Sequence, residues 1–145
     1  VLSGAEIGWD LDAQGSACDR DFYRNVLKQA YAADDAGSTV ATPASGSIFS
    51  GLGSVNFGDG PMTIGFPDRL STANGSAEAM TYTSGGSGAA ALRFVAPDGA
   101  RIIGFGSPVE NIGNASDRAA LLDALLGDML IGPVVPTPQS AWSIF

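Results

Sequence analysis

The stretch Ser3-Gly4-Ala5-Glu6-Ile7-Gly8-Trp9-Asp10-Leu11-Asp12 gathers the best candidates for chemistry in this chain. Val1 and Leu2 lead into Gly-x-x-x-Gly, a spacing that permits a tight turn from strand to helix and lifts the middle residue above a sheet. That middle residue is Glu6. A carboxylate can act as a covalent nucleophile in glycoside or phosphoryl chemistry, whereas acyl transfer from an amide needs a Cys or Ser partnered by a base. The chain has no histidine, so it offers no imidazole for that base.

Two further chemistries draw on the same carboxylates. Reading from Asp10, oxygen side chains at Asp10, Asp12, Gln14, Ser16 and Asp21, with Gly15 at the sharp turn, approximate a calcium loop. Gln14 is a weak ligand, and a solvated acidic start to the following helix, favoured by its dipole, accounts for the same residues. A glycosidase needs only two carboxylates at a defined separation, and Glu6, Glu110, Asp10 and Asp12 are the candidates. Apart from calcium, no cofactor is implied. Cys18 is the single cysteine; it cannot close an internal disulfide and reads as a small, partly buried helix residue. Ser84-Gly85-Gly86-Ser87-Gly88 has the glycines of a phosphate loop but neither the following helix nor the Lys-Ser/Thr pair.

The elements that must position these groups follow from periodicity. Phe22, Val26, Leu27, Ala30 and Tyr31 share one face of a helix over residues 17–31. Residues 32–60 are punctuated by Asp34-Asp35-Ala36-Gly37, Pro43 and five glycines, which predicts loops with short strand-like pieces at 38–40 and 47–49. Strands are expected over 62–66, 79–83, 89–96 and 101–106. Pro97-Asp98-Gly99-Ala100 makes the last two an antiparallel hairpin. Ser116 reads as the N-cap of a helix through residue 130, with Leu121, Leu122, Leu125, Leu126 and Met129 as one apolar stripe. Ile131-Gly132-Pro133 stops that helix. Pro133, Pro136 and Pro138 stiffen a tail whose Trp142, Ile144 and Phe145 are expected to anchor an interface.

With 145 residues, 45% hydrophobic and 15% charged, the chain divides into a globular domain over 1–131 and a docking tail over 132–145. Seven basic against fifteen acidic residues give a net charge of −8, which repels phosphate backbones and anionic lipid and disfavours nucleic-acid binding. No run approaches the roughly 20 apolar residues of a membrane span, so insertion into a membrane is not expected. High Gly, Ser, Thr and Ala with few lysines matches the composition of secreted bacterial proteins and predicts an extracellular location.

Three stretches also carry a family likeness: residues 3–12 around the elbow; Tyr31-Ala32-Ala33-Asp34-Asp35-Ala36 with Gly46-Ser47-Ile48-Phe49-Ser50-Gly51-Leu52; and Arg101-Ile102-Ile103-Gly104-Phe105-Gly106-Ser107-Pro108-Val109-Glu110-Asn111-Ile112. In this order the chain resembles the second half of a class I glutamine amidotransferase-like domain. The likeness is to the non-catalytic type found in golvesin-type proteins and near the C-terminus of secreted bacterial xanthan lyases. Active members carry Gly-x-Cys-x-Gly at the elbow and His-Pro-Glu after the last strand. Here Glu6 stands at the nucleophile position and Ser107-Pro108-Val109-Glu110 where His-Pro-Glu would be. The resemblance therefore implies no catalytic residue, and leaves Gly4, Glu6, Gly8 and Glu110 as an elbow remnant. It implies an α/β, three-layer flavodoxin-like mixed sheet without its N-terminal β/α units, completed by that absent first half or by other copies of the chain. The function it implies is a non-enzymatic, self-associating structural or interaction module. A calcium-stabilised accessory domain of a polysaccharide-degrading enzyme and a carboxylate-based carbohydrate hydrolase stand as alternatives.

Overall fold

The computed structural model describes residues 1–85 and 88–130, and the expected tail with Trp142, Ile144 and Phe145 lies outside the described residues. Strand β1 (Leu2–Ser3) is followed by a π-helical turn (Trp9–Ala13), helix α1 (Ala17–Asp21) and a π-wound continuation (Phe22–Val26). Then come β2 (Gln29–Ala33), β3 (Val40–Pro43), β4 (Val55–Asn56), β5 (Arg69–Thr72), β6 (Ala77–Tyr82), β7 (Ala89–Val95) and β8 (Arg101–Phe105). A 3-10 turn (Val109–Asn111) and helix α2 (Ala115–Leu130) complete the described elements.

All eight strands belong to one sheet, with the continuous path β1-β8-β7-β6-β3-β4, β5 beside β7 and β2 beside β5. Only β1 and β8 run parallel; the remaining pairs are antiparallel. Ala89 of β7 pairs with both Thr81 of β6 and Leu70 of β5, so β5 and β2 extend the β8 side of β7 past the end of β8. The result is a mixed α/β chain with a curled mixed sheet and few helices.

The expected hairpin forms, with register from Ala91↔Phe105 to Val95↔Arg101. Its turn closes through Gly99 N–H to the Ala96 carbonyl at 2.9 Å, with Gly99 at φ 87, a conformation glycine adopts without steric cost. Side chains alternate across β8. Ile103 and Phe105 join the cluster under α2 that contains Leu121 and Leu125. Gly104 faces the other way, against Gln29 of β2, and a Cβ there would collide with the Gln29 amide. Arg93 of β7 clamps α2 onto its face through Asp128, with Nε to Oδ2 at 2.9 Å.

Several expected elements differ, each for a visible reason. The helix over 17–31 ends at Val26; Lys28 takes a left-handed conformation, φ 59, and 29–33 becomes β2, where ladder bonds to β5 outweigh helical periodicity. Residues 62–66 form no strand, because the Asn111 side chain holds both the amide and the carbonyl of Met62, and the strand comes later as β5. The piece expected at 38–40 begins only at Val40, and residues 47–49 are turns that bury Phe49. Helix α2 is capped by Asn114, whose Oδ1 accepts from Ser116 N at 2.9 Å and Asp117 N at 3.2 Å, so Ser116 lies inside the helix. Only part of the leucine stripe is core: Leu121 and Leu125 are buried, whereas Leu122 and Leu126 are exposed. Cys18 is exposed, since α1 turns its face to solvent.

Candidate functional site

Strand β1 delivers the chain to the elbow, and the elbow has the expected form. Glu6 sits at φ 63, a left-handed conformation that costs an ordinary L-residue about 1–2 kcal/mol. Its carbonyl accepts from Asp10 N at 2.9 Å, so the helical turn starts immediately after it. The Glu6 side chain is exposed. The flanking glycines serve packing. Gly8 has φ −67, and a Cβ on it would lie 3.0 Å from the Tyr23 hydroxyl and 3.1 Å from Asp68 Oδ2. A Cβ on Gly4 would meet Ile7 Cδ1 at 2.7 Å.

Beneath the elbow lies Asp68, 1% exposed, on the segment entering β5. Its Oδ2 accepts from Gly8 N at 2.6 Å, so an amide that begins the helical turn is satisfied by a carboxylate sixty residues away. Its Oδ1 has no partner. The Asp68 backbone is fixed as firmly: its N–H donates to the Gly106 carbonyl at 2.9 Å, and its carbonyl accepts from the Tyr82 hydroxyl at 3.2 Å. Tyr82 also shares a 3.1 Å hydrogen bond with Ser107. Burial pushes the Asp68 carboxyl up to about 6; the Gly8 and Trp9 amides oppose that shift, and the charges of Asp34 and Glu6 add to it. Burial likewise raises Tyr82 to about 12.

Because β1 and β8 are parallel, the loops that follow them emerge at the same end of the sheet. Glu6 and Glu110 therefore lie in loops at the same end of this strand pair. Glu110 is tied locally, its Oε2 accepting from Ser3 Oγ at 3.3 Å, while Val109 N donates to Ser3 Oγ at 3.5 Å. Surface clefts include ones lined by residues 42–54 and by Asp35, Gly37, Thr39 and Ile64, and neither Glu6 nor Glu110 lines these. The one of about 440 Å³ is formed by residues 42–54, including Thr42, Ser45, Ser50 and Ser54.

The residues of the expected calcium loop are not brought together. Asp12 turns inward, its Oδ1 2.7 Å from Arg24 Nε and its Oδ2 accepting from Tyr31 N at 2.8 Å. Ser16 caps α1 in a reciprocal box with Asp19, Asp21 accepts from Asn25 at 2.6 Å, and Asp10 and Gln14 are exposed. Among the described residues no group of three or more acidic or cysteine side chains converges as a cation site. The Asp12–Arg24 ion pair, with Asp12 buried and Arg24 half exposed, together with the Tyr31 amide bond ties the elbow's helical turn to the π-wound segment and to β2.

Asp68 and Asn111 are the polar residues that sequence reasoning missed. Asn111 is fully buried; its Nδ2 donates to the Phe57 and Met62 carbonyls, both at 2.9 Å, and pins the irregular 57–62 segment. No local pattern marks either residue, because their partners lie about fifty to sixty positions away in sequence. Comparison with protein-family models, with curated proteins and with solved structures gives no match to this chain.

Proposed function

We propose that this chain is a non-enzymatic, self-associating interaction module of a secreted bacterial protein, built on a flavodoxin-like frame of the amidotransferase type. The observation that carries the reading is Glu6. The strained elbow position is kept, yet it holds a carboxylate in a chain without histidine, and Glu110 is engaged by Ser3. Acyl transfer has neither nucleophile nor base here.

Self-association is supported by what lies around β1. That strand pairs with β8 on one side, and its other edge has no partner strand among the described residues. Val1, next to it in the chain, is exposed, and so are Trp9, Phe22 and Val26 on the helical segments between β1 and β2. Open strand edges and exposed apolar side chains both favour pairing between copies. The same edge accepts a further β/α segment, the partner that the resemblance implies. The test has two arms. Glutaminase, protease and esterase assays should be blank, and turnover that disappears in Cys18→Ser would remove the non-enzymatic reading. Sedimentation velocity across a wide concentration range should show reversible oligomers that Phe22→Ser and Val26→Ser shift towards monomer. A parent chain that stays monomeric throughout would remove self-association.

A second reading, carbohydrate hydrolysis by carboxylates, is favoured by one observation: Glu6 carries backbone strain beyond the end of the parallel strand pair, near a carboxyl with a raised pKa. It requires that polysaccharides release reducing ends and that Glu6→Gln abolish the release.

A further inference from the structure

Helix α2 carries two apolar stripes. Leu121 and Leu125 are buried, while Leu122, Leu126 and Leu130, spaced four residues apart, are 42%, 58% and 81% exposed. Ala115 and Ala119 continue that second stripe towards the helix N-terminus at helical spacing. Gly127 beside it meets nothing within 4 Å of where a Cβ would sit, which leaves a notch along the flank of the stripe.

The size of the stripe selects its occupant. A second copy laid across these leucines would bury roughly 300 Å² per protomer, well below the approximately 1,200 Å² in total that a stable interface needs. A segment of the same chain escapes the cost of bringing two molecules together, so a small apolar stripe suffices for it. The segment that leaves the stripe at Leu130 has matching chemistry. Residues 131–145, outside the described residues, contain Ile131, Val134, Val135, Trp142, Ile144 and Phe145 and no charged side chain. Reach is adequate. The stripe from Leu130 back to Leu122 is about 12 Å long, and the residues from 131 to 142 span up to about 40 Å when extended. Gly132-Pro133 supplies residues suited to a reversal of chain direction.

We propose that residues 131–145 fold back along α2 of the same chain and cover Leu122, Leu126 and Leu130, with Trp142 as the principal anchor. This docking is independent of the surface around β1. The test uses the full chain labelled with 5-fluorotryptophan, whose two fluorine resonances are assigned with Trp142→Phe. In the native chain the Trp142 resonance should be displaced from its position in the denatured chain, at every protein concentration. The pair Leu122→Ser and Leu126→Ser changes exposed positions and keeps the fold; it should return Trp142 to the denatured position and leave Trp9 unmoved. A Trp142 resonance at the denatured position in the native chain overturns the proposal, as does one that the leucine substitutions fail to move. Displacement that grows with concentration alongside a doubled mass overturns it as well, because the segment then seats on another copy.

Discussion

Replacing Asp68 by asparagine tests the account of the elbow most directly. The Asp68 carboxyl ionises near 3.8 in the unfolded chain and near 6 in the folded one. Between those values the folded protein keeps a proton that the unfolded chain has released. Stability therefore falls as pH rises through this window, and the full cost is present above about pH 6. A displacement of roughly two pH units at 1.36 kcal/mol each amounts to about 3 kcal/mol. Asp68→Asn keeps the shape and an oxygen for the Gly8 amide but cannot ionise. Near pH 4 the variant should match the parent or lie slightly below it, because its amide N–H group would stand where Oδ1 has no partner. Towards pH 7 the balance should move by about 3 kcal/mol in favour of the variant. Urea unfolding of both proteins at about pH 4, 5, 6 and 7 gives this difference, and subtraction removes the contribution of every other acid. A difference that stays flat across the window would refute the idea that Asp68 is a buried carboxylate held against its desolvation cost.

Further substitutions probe separate parts of the structure. Leu125→Asp should cost more than about 4 kcal/mol by burying an unpaired charge, while Leu122→Asp, one residue along the helix from Leu121 but outside the core, should cost far less and leave the domain folded; thermal unfolding of the two variants side by side decides it. Gly104→Ala should destabilise by about 1–3 kcal/mol through its clash with Gln29, and adding Gln29→Ala should recover part of that loss in a double-mutant cycle. Glu6→Gly should raise stability by about 1 kcal/mol, since glycine adopts the φ of 63 without strain, and calorimetry that shows a clear loss would mean the glutamate side chain holds the elbow.

Legibility in the sequence followed the range of the interactions. The elbow, the Pro97–Ala100 hairpin and α2 were readable because each is set by residues within a few positions of one another. The end of the first helix was not, because Lys28 stops it with a left-handed residue that is neither Gly nor Asn, the usual signals. Asn74-Gly75 is a strong turn signal between β5 and β6. Even so, it gives the position of a turn and not the topology here, since the two strands it joins lie on opposite sides of β7. Exposure of Leu122 and Leu126 was equally hidden. Helical periodicity places both within the apolar arc, and only the direction of approach to β7 and β8, set by the Arg93–Asp128 clamp, determines which leucines reach the core.

The strain at Glu6 has a structural origin. A helix that starts this abruptly after a strand has no room for a preceding Ser or Asp to cap it, and its first amides would otherwise be buried without acceptors. Asp68 supplies the acceptor from across the fold, at the cost of desolvating a carboxylate. A Cβ on Gly8 would sit tightly against Tyr23 and Asp68, which shows how closely the helical turn approaches them. Once the turn is drawn down onto Asp68, the chain leaving β1 has to reverse within the three residues between Gly4 and Gly8, and the left-handed position falls on Glu6, which is turned out to solvent. The strain at Glu6 is thus set by the placement of the helix start and requires no reacting group at that position. A cap of this kind, made by a buried aspartate far away in sequence, keeps an elbow in shape whether or not chemistry takes place above it.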